Sequence, residues 1–303
     1  AQEYQPREYL YGQDERVVTQ SQLEERLSTR GAGDLNTVVM IQCVGSREKE
    51  RPYCSRYCCS TAIKNARKLK EQNPNVNIFI LYRDLRTYGL QEIYYAQARE
   101  EGVVFVRYDE DRKPQVRREG DKLVVLVRDP LLGETLRIEP DLLVLSSAIV
   151  APEGNRDLAS MLKVPVDNDG FFLEAHVKLR PVDFATDGIF VCGMAHSPKL
   201  IDETISQAHA AAARAITVLA KDRIETEGIV ASIDKSTCTG CQGCMEVCPY
   251  NAIVFLEEEG VCEVREALCK GCGACAATCV SGSIKLNGFK DYQLYAQIEA
   301  AFS

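Results

Sequence analysis

Two copies of one cysteine motif lie near the end of this 303-residue chain, and they restrict its fold more than any other feature. The first copy is Cys238-x2-Cys241-x2-Cys244-x3-Cys248-Pro249, and the second is Cys269-x2-Cys272-x2-Cys275-x3-Cys279. Three thiolates at this spacing surround one [4Fe-4S] cluster, while the fourth cysteine, three residues further on, ligates the other cluster. The motif therefore predicts a small domain that is wrapped around two clusters.

The ligand sets of the two clusters are expected to cross between the copies. One set is then Cys238, Cys241, Cys244 and Cys279, and the other is Cys269, Cys272, Cys275 and Cys248. A pair of zinc sites is the alternative, but such sites use two CxxC pairs separated by a longer loop. Val280 stands where the first copy has Pro249, which alters the turn and removes no thiolate.

The cysteine content and the absence of long apolar runs define the expected compartment. The chain has 14 cysteines, a polar beginning that is unlike a signal peptide, and no apolar stretch of membrane-spanning length. Many cysteines in such a chain favour metal ligation in a reducing compartment over a disulfide framework. We therefore expect a soluble, cytoplasmic protein without direct membrane insertion, sensitive to oxygen and suited to anaerobic conditions.

The charge balance excludes one class of function and favours another. A formal net charge of -8 and the lack of a basic stripe argue against nucleic-acid binding. Residues 229–288 contain seven acidic and four basic side chains, so the cluster domain is itself acidic. An acidic surface suits docking to a basic patch on a redox partner. A merely solvated acidic loop at Glu257–Glu259 explains the same charges equally well.

Strands and helices alternate in the first half of the chain. Buried strands are predicted at Thr37–Ile41, Val76–Tyr82, Val103–Arg107 and Pro140–Ser146, and helices at Ser21–Leu27, Ser60–Glu71 and Leu90–Glu101. This alternation is typical of a parallel α/β sheet, so a Rossmann-like architecture is predicted. Lys122–Arg128 and Glu134–Ile138 together predict an antiparallel hairpin.

Five segments are predicted along the chain. They are a connecting segment at 1–36, the Rossmann-like α/β domain at 37–150, a further unit at 151–222, the cluster domain at 223–288 and a helix at 289–303. Within the third segment we expect a loop at Pro152–Arg156, a strand at Gly188–Gly193 and a helix at Asp202–Ala220. The long small-residue run in that helix permits close approach of backbone or cofactor, although tight packing is the simpler explanation.

A third group of cysteines lies in the α/β domain. Cys43 follows a predicted strand, and Cys54, Cys58 and Cys59 come just before the next helix. In open α/β sheets the carboxyl edge of the strands is where ligands bind. Four soft thiolates there suit an iron-sulfur cluster or zinc, and their spacing does not separate the two. Inert buried thiols are the remaining alternative.

These motifs together resemble the A-subunit of heterodisulfide reductase, which is the flavin and iron-sulfur component of electron-bifurcating complexes. The resemblance covers nearly the whole chain and is carried by Cys43-Val-Gly-Ser-Arg47, Tyr53-Cys54-Ser-Arg-Tyr-Cys58-Cys59, Asp84-Leu-Arg86-Thr-Tyr-Gly89 and the paired cysteine motifs. It implies that 223–288 is a ferredoxin domain and that the Cys43 group binds a [4Fe-4S] cluster close to FAD. Three clusters, or about 12 irons, are then expected per chain.

Lys64 stands five residues after Cys59 on the same predicted helix. An exposed basic face is one explanation, since Arg67, Lys68 and Lys70 surround it. The resemblance implies instead that this lysine lies beside the flavin N5, where a cation stabilises the reduced, anionic flavin.

The flavin signature of the chain is incomplete. Thr186–Gly193 followed by a helix resembles the late flavin motif of thioredoxin-reductase-like proteins, which implies that 151–222 is the C-terminal part of an FAD-binding domain. Met194 replaces the expected aspartate, but the family pattern Gly-x-Ala-x-x-Pro-Lys is matched by Gly193, Met194, Ala195, Pro198 and Lys199. No G-x-G-x-x-G fingerprint follows a first strand. The chain is thus expected to be a C-terminal portion whose FAD binding requires an N-terminal segment or chain.

Cys192 and Cys262, which belong to no motif, are expected to be structural, as are the three histidines His176, His196 and His209.

The resemblance implies an oxidoreductase subunit that passes single electrons between FAD and a ferredoxin-type partner through [4Fe-4S] clusters, in flavin-based electron bifurcation. Its partners would be the other subunits of a heterodisulfide-reductase-like complex, ferredoxin, and a hydrogenase-type or formate-dehydrogenase-type electron donor. A quinone-linked or sulfur-linked carrier without bifurcation is the second hypothesis. A non-catalytic scaffold with structural metals is the third.

Overall fold

A computed structural model describes residues 1–223 and 228–302 of the chain. Its strands are β1 (Gln2–Glu3), β2 (Val17–Thr19), β3 (Thr37–Val44), β4 (Asn77–Tyr82), β5 (Val104–Arg107), β6 (Gln115–Glu119), β7 (Lys122–Arg128), β8 (Thr135–Ile138), β9 (Leu142–Ser147), β10 (Ile149–Val150), β11 (Ala231–Ile233), β12 (Ile253–Leu256), β13 (Val261–Val264) and β14 (Ile284–Leu286). Its α-helices are α1 (Gln20–Thr29), α2 (Cys58–Gln72), α3 (Glu92–Glu100), α4 (Asn155–Leu162), α5 (Ile201–Leu219), α6 (Gly243–Glu246), α7 (Ala274–Thr278) and α8 (Asp291–Ala301).

The described chain forms two compact units. The first contains Ala1–Pro152 and Ser197–Glu203, and the second contains Glu153–His196 and Thr204–Ser303. The five segment boundaries expected from the sequence stay predictions. Residues 224–227, in the expected cluster domain, and residue 303, in the expected terminal helix, lie outside the described residues.

A five-stranded parallel sheet forms the centre of the first unit, in the order β2-β9-β3-β4-β5. Side chains alternate across it, as the period of a strand requires. Val38 and Met40 of β3 pack with residues of α1, α2 and α3 on one face. Val39 and Ile41 pack on the other face with the three-stranded antiparallel sheet β6-β7-β8. The expected parallel α/β architecture is confirmed, and so is the hairpin of β7 and β8.

The first 36 residues contribute to this core. Strand β2 forms an edge of the sheet, and α1 buries Leu23 and Leu27. Thr19 begins the helix with a capping box, because its side chain accepts from the Gln22 N–H while Gln22 accepts from the Thr19 N–H.

Asp14 links the antiparallel sheet to the residues just before β2 through hydrogen bonds. Its side chain is only 2% exposed, and it accepts hydrogen bonds from Arg16 and, on β6, from Arg118. The hydrogen bond from Arg16 is the main reason that the pKa of Asp14 lies well below its ordinary value. A depressed carboxyl pKa stabilises the fold above the unfolded-state value near 4, and that contribution is lost as the pH falls further.

We therefore expect Asp14→Asn to lower the free energy of unfolding by about 2 kcal/mol at pH 7. This is the usual size of the effect for hydrogen bonds to a charged group, here the Asp14 carboxylate, when solvent partly screens its partners. The deficit relative to the unchanged protein should shrink as the pH is lowered below about 4. Urea unfolding at several pH values measures both effects, with the exposed Asp109→Asn as the matched control. Equal stability of the two variants would contradict this role.

The second unit contains α4, an irregular segment, most of α5, and a compact cysteine-rich part. Phe172 and Phe184 meet edge to face at the centre of its non-cysteine core. In the cysteine-rich part, β11 pairs with β14 and β12 with β13, both antiparallel, around the buried cysteines. The helix expected at Asp202–Ala220 is present as α5, and the one at Tyr292–Phe302 as α8.

Two local expectations were wrong. Gly188–Gly193 is not a regular strand: it makes a single bridge, Asp183 to Phe190, and ends in a 3-10 turn at Gly193–Ala195. The apolar residues there are buried by packing against Phe172 and Phe184 and not by a continuous ladder. Pro152–Arg156 is not wholly a loop, because α4 begins at Asn155.

Among the described residues, no helix is both long enough and apolar enough to cross a bilayer.

Candidate iron-sulfur centres

The eight motif cysteines surround two separate cavities. The first, the Cys238 site, is lined by Cys238, Cys241, Cys244 and Cys279. The second, the Cys269 site, is lined by Cys269, Cys272, Cys275 and Cys248. Each cavity thus receives three cysteines from one motif copy and the fourth from the other copy. This is the crossed arrangement expected from the spacing.

The loops before α6 and α7 wrap tightly because glycines occupy equivalent positions in them. Gly240 has φ +67° and Gly271 has φ +59°, a region that disfavours side chains. A Cβ on Gly240 would lie 2.3 Å from the Gly260 carbonyl oxygen, and one on Gly271 would lie 2.5 Å from the Ile229 carbonyl oxygen. Only glycine lets each cysteine loop pass this close to neighbouring backbone.

The donor groups of these two sites fit iron-sulfur clusters. Among the described residues all cysteines are free thiols, so every motif cysteine is available as a ligand. Backbone N–H groups donate to two of the sulfurs, from Ala231 to Cys269 Sγ at 3.3 Å and from Ala252 to Cys248 Sγ at 3.4 Å. Hydrogen bonds of this kind set cluster potentials.

Burial and hydrogen bonding act oppositely on the cluster-site thiols. Burial raises the pKa of Cys244 to about 12, and it also raises the pKa of Cys275. A hydrogen bond with the Ser281 hydroxyl lowers the pKa of Cys279. Because ligands bind iron as thiolates, cluster insertion must release protons from the buried thiols.

No three His, Cys, Asp or Glu side chains in the described parts of the chain are placed to hold a single metal ion. A zinc ion bound at about 2.3 Å would draw its sulfurs to within about 4 Å of one another. Four cysteines that bind the corners of an iron-sulfur core stand further apart. Cysteine spacing, and not a measured distance between thiols, therefore separates clusters from zinc at the two motif sites.

The Cys43 group gathers at the carboxyl end of the central strands. Cys43 has φ +64° and lies where the register of β3 and β9 shifts, while Cys58 and Cys59 are the first two residues of α2. The Cys58 thiol donates to the Ser147 carbonyl oxygen at 3.8 Å, and Cys54 Sγ accepts from the Arg56 N–H at 3.2 Å. Strand ends and a helix start therefore bring the four thiols together.

The thiols of this group affect one another electrostatically. Burial is the main cause that raises the pKa of Cys59 to about 11, and the nearby Cys43 and Cys54 raise it further. Burial likewise raises the pKa of Cys43, while the Arg47 guanidinium, 4.0 Å from Cys43 Sγ, lowers it. An anionic cluster would be offset by this cation, which the sequence interpretation did not identify.

Buried polar atoms without partners lie next to these cysteines. In the described residues, the side-chain nitrogen and oxygen of Gln42 and the hydroxyl of Ser147 are buried and make no hydrogen bond. Gln42 precedes Cys43, and the Ser147 carbonyl accepts from Cys58. Such groups are rare and costly unless a bound group satisfies them. The site therefore fits a resident polar cofactor.

The structure places Lys64 on the exposed part of α2. Its side chain is 62% exposed, its Nζ donates to Glu24 Oε1 at 2.6 Å, and it lines an open groove that is bordered by α1, α2 and α3. The amine that was expected beside flavin therefore forms an ion pair with Glu24.

The expected flavin-contact residues are divided between the two units. Gly193, Met194 and Ala195 form the 3-10 turn in the second unit, where the Gly193 N–H donates to the Gln207 side chain at 2.8 Å. Pro198 and Lys199 belong to the first unit, and Lys199 Nζ donates to the Ser197 hydroxyl at 2.9 Å.

The cysteines and histidines that belong to no motif differ in their surroundings. Cys192 is half-buried and His209 is exposed, whereas His176 and His196 hydrogen-bond to their own unit. Cys262, expected to be merely structural, lines the Cys238 site.

Comparison with known proteins identifies the segment that holds the first cysteine motif. A model of the 4Fe-4S binding domain matches residues 231–254. A 4Fe-4S binding domain in one chain with a parallel α/β sheet defines an iron-sulfur protein of mixed α/β architecture.

Three relatives identify the family. The chain is 39% identical to the iron-sulfur A-subunit of CoB–CoM heterodisulfide reductase from Methanocaldococcus jannaschii, over 96% of this chain and 47% of the relative. It is 38% identical to the A-subunit of H(2)/formate:CoB-CoM heterodisulfide,ferredoxin reductase from Methanococcus maripaludis, over 96% and 47%. It is 42% identical to the A-subunit of ferredoxin:CoB-CoM heterodisulfide reductase from Methanosarcina acetivorans, over 89% and 34%. By sequence, the chain belongs to the family of heterodisulfide reductase A-subunits.

The chain spans about half the length of the curated relatives it matches, or less. Among solved structures, thioredoxin reductase from T. acidophilum is similar at 14% identity and a TM-score of 0.45, over 70% of this chain and 60% of that one.

Proposed function

We propose that this chain passes single electrons between FAD and a ferredoxin-type partner through [4Fe-4S] clusters, within a heterodisulfide-reductase-like complex that performs flavin-based electron bifurcation. The observation that carries this proposal is the pair of cavities with crossed cysteine sets. The names of the relatives, which include ferredoxin, hydrogen and formate, support the choice of partners. A hydrogenase-type or formate-dehydrogenase-type donor would then supply the electrons.

The chain's own residues would hold the clusters and control access to them. Bound clusters supply one-electron chemistry, and FAD converts between one-electron and two-electron steps. Cys244, Cys248 and Cys275 are buried, which shields the inner side of each site from water, whereas Cys241 and Cys272 are exposed. Because the exposed cysteines give the shortest path to solvent, a redox partner would dock over them.

The Cys43 group would hold a third cluster close to FAD. The orphaned Gln42 and Ser147 atoms support a bound group at this position. Gly193, Met194, Ala195, Pro198 and Lys199 would contact FAD, which a segment or chain with the missing fingerprint would complete.

A full-length preparation reconstituted anaerobically with iron, sulfide and FAD tests this function. We expect about 12 irons per chain, and we expect reduction of added ferredoxin once the partner subunits are present. Copurifying hydrogenase-like or formate-dehydrogenase-like subunits would support bifurcation, whereas membrane subunits would favour the quinone-linked or sulfur-linked alternative. Zinc without sulfide would exclude both electron-transfer hypotheses and leave the third one, a non-catalytic scaffold with structural metals.

Lys64→Ala should change the flavin potentials of the assembled complex. A cation beside the flavin N5 favours the reduced, anionic form, so its removal is expected to lower the midpoint potential. Lys68→Ala, on the same helix and also surface-exposed, is the matched control. Spectroscopic redox titration of both variants measures the flavin midpoint potentials. Identical potentials in the Lys64→Ala variant and the unchanged complex would refute a position of Lys64 beside the flavin N5.

A further inference from the structure

The two copies of the cysteine repeat differ at one buried position close to the clusters. When the sequences of the two copies are aligned on their cysteine motifs, Ala231 of β11 corresponds to Cys262 of β13, because each lies seven residues before the first motif cysteine. Both side chains are inaccessible, at 2% and 1% exposure. The repeat thus offers the same buried place twice, once with a methyl group and once with a thiol.

Each of these residues lines one cluster site. Cys262 lines the Cys238 site, and Ala231 lines the Cys269 site. Cys262 also packs in the same buried cluster as Cys244, one of the four expected ligands, and both residues line this cavity. The Cys238 site therefore has a fifth thiol that its counterpart lacks.

The four motif cysteines already fill the coordination positions of a [4Fe-4S] cluster, so Cys262 is not needed as a ligand. A thiol can still act as a weak hydrogen-bond donor. A cysteine binds iron as a thiolate, which can only accept a hydrogen bond, so a hydrogen bond between these two residues has the Cys262 S–H as its donor. Water cannot replace this donor, because the Cys262 side chain is almost fully buried.

We propose that Cys262 is a positioning residue that donates an S–H hydrogen bond to the Cys244 sulfur and raises the reduction potential of the cluster in the Cys238 site. The added electron of the reduced cluster makes its sulfur ligands more negative, so a donor stabilises the reduced state more than the oxidised state. The low dielectric of the buried site strengthens this effect. The inference rests on the proposed binding of clusters, and it gives the two clusters different potentials within one symmetric scaffold.

The test uses the full chain reconstituted anaerobically, with a redox titration followed by EPR. Cys262→Ala should lower the potential of one cluster couple and leave the other in place, whereas Cys262→Ser, which keeps a donor, should restore it. The couple that disappears in Cys279→Ala identifies the cluster of the Cys238 site. In the reduced unchanged protein, ENDOR should show an exchangeable proton coupled to that cluster, and Cys262→Ala should lack it.

Ala231→Cys is the matched variant for the opposite site. It should raise the potential of the Cys269-site cluster, and it keeps the inference testable if Cys262→Ala folds poorly. Unchanged potentials in both Cys262→Ala and Ala231→Cys, with all clusters present, would overturn the role of Cys262 and leave the proposed function intact. Absence of sulfide and iron from the unchanged protein would instead overturn the proposed function.

Discussion

Replacing Cys279 with alanine is expected to remove the cluster of the Cys238 site. The other three ligands of that cluster, Cys238, Cys241 and Cys244, come from the first copy of the motif. The reason is that Cys279 lines their cavity and not the cavity of its own copy. The variant should lose about four irons, because a three-cysteine site no longer completes a stable [4Fe-4S] unit. Iron and sulfide analysis after anaerobic reconstitution measures the loss.

Double variants distinguish crossed from uncrossed ligation. With crossed sets, Cys241→Ala added to Cys279→Ala affects the same cluster, so the loss stays at about four irons. Cys272→Ala added to Cys279→Ala affects both clusters, so the loss rises to about eight irons. The reverse pattern would show that each copy holds its own cluster and would contradict the cavities described above.

Replacing Cys58 with alanine is expected to remove the cluster of the Cys43 group alone. Cys58 is buried at the start of α2, beside the other three thiols, and it contacts the Ser147 carbonyl oxygen. The total should fall from about 12 to about 8 irons, with the EPR signals of the two ferredoxin-type clusters unchanged.

Cys192→Ala serves as the control for this experiment. Cys192 is also a free thiol, but it lies in the second unit and in no cysteine group. An iron content that is equal in Cys58→Ala and Cys192→Ala would show that the Cys43 group consists of inert thiols.

Local patterns predicted much of this molecule because their signals are short-range. The apolar run at 76–82 corresponds to β4, and the helix expected at 60–71 lies within α2, which begins two residues earlier at Cys58. The cysteines that line each cavity are also the ones that the spacing assigns to one ligand set, since the geometry of a tight loop around a cluster depends on few residues; the ligation itself stays a prediction.

Features that depend on distant contacts were not predictable in the same way. The sequence does not show that β9 inserts between β2 and β3, because parallel pairing leaves no local turn signal. Gly188–Gly193 has the composition of a strand but lacks a neighbouring strand to extend a ladder. From its apolar surroundings in the sequence, Cys262 is expected to be only a core residue. Aligning the two motif copies would have shown that the other copy has Ala231 at this position, so that only one copy carries an extra thiol.

The position of β9 in the sheet also determines when, during biosynthesis, the Cys43 group can acquire all of its structural surroundings. Ser147, at the end of β9, contacts Cys58 across a sequence separation of 89 residues. A ribosome needs about 4 to 18 s to add that many residues. For this interval the nascent chain carries four free thiols without the strand that completes their surroundings. We therefore expect iron delivery to the Cys43 group to follow translation of β9, with the thiols protected from oxidation until then.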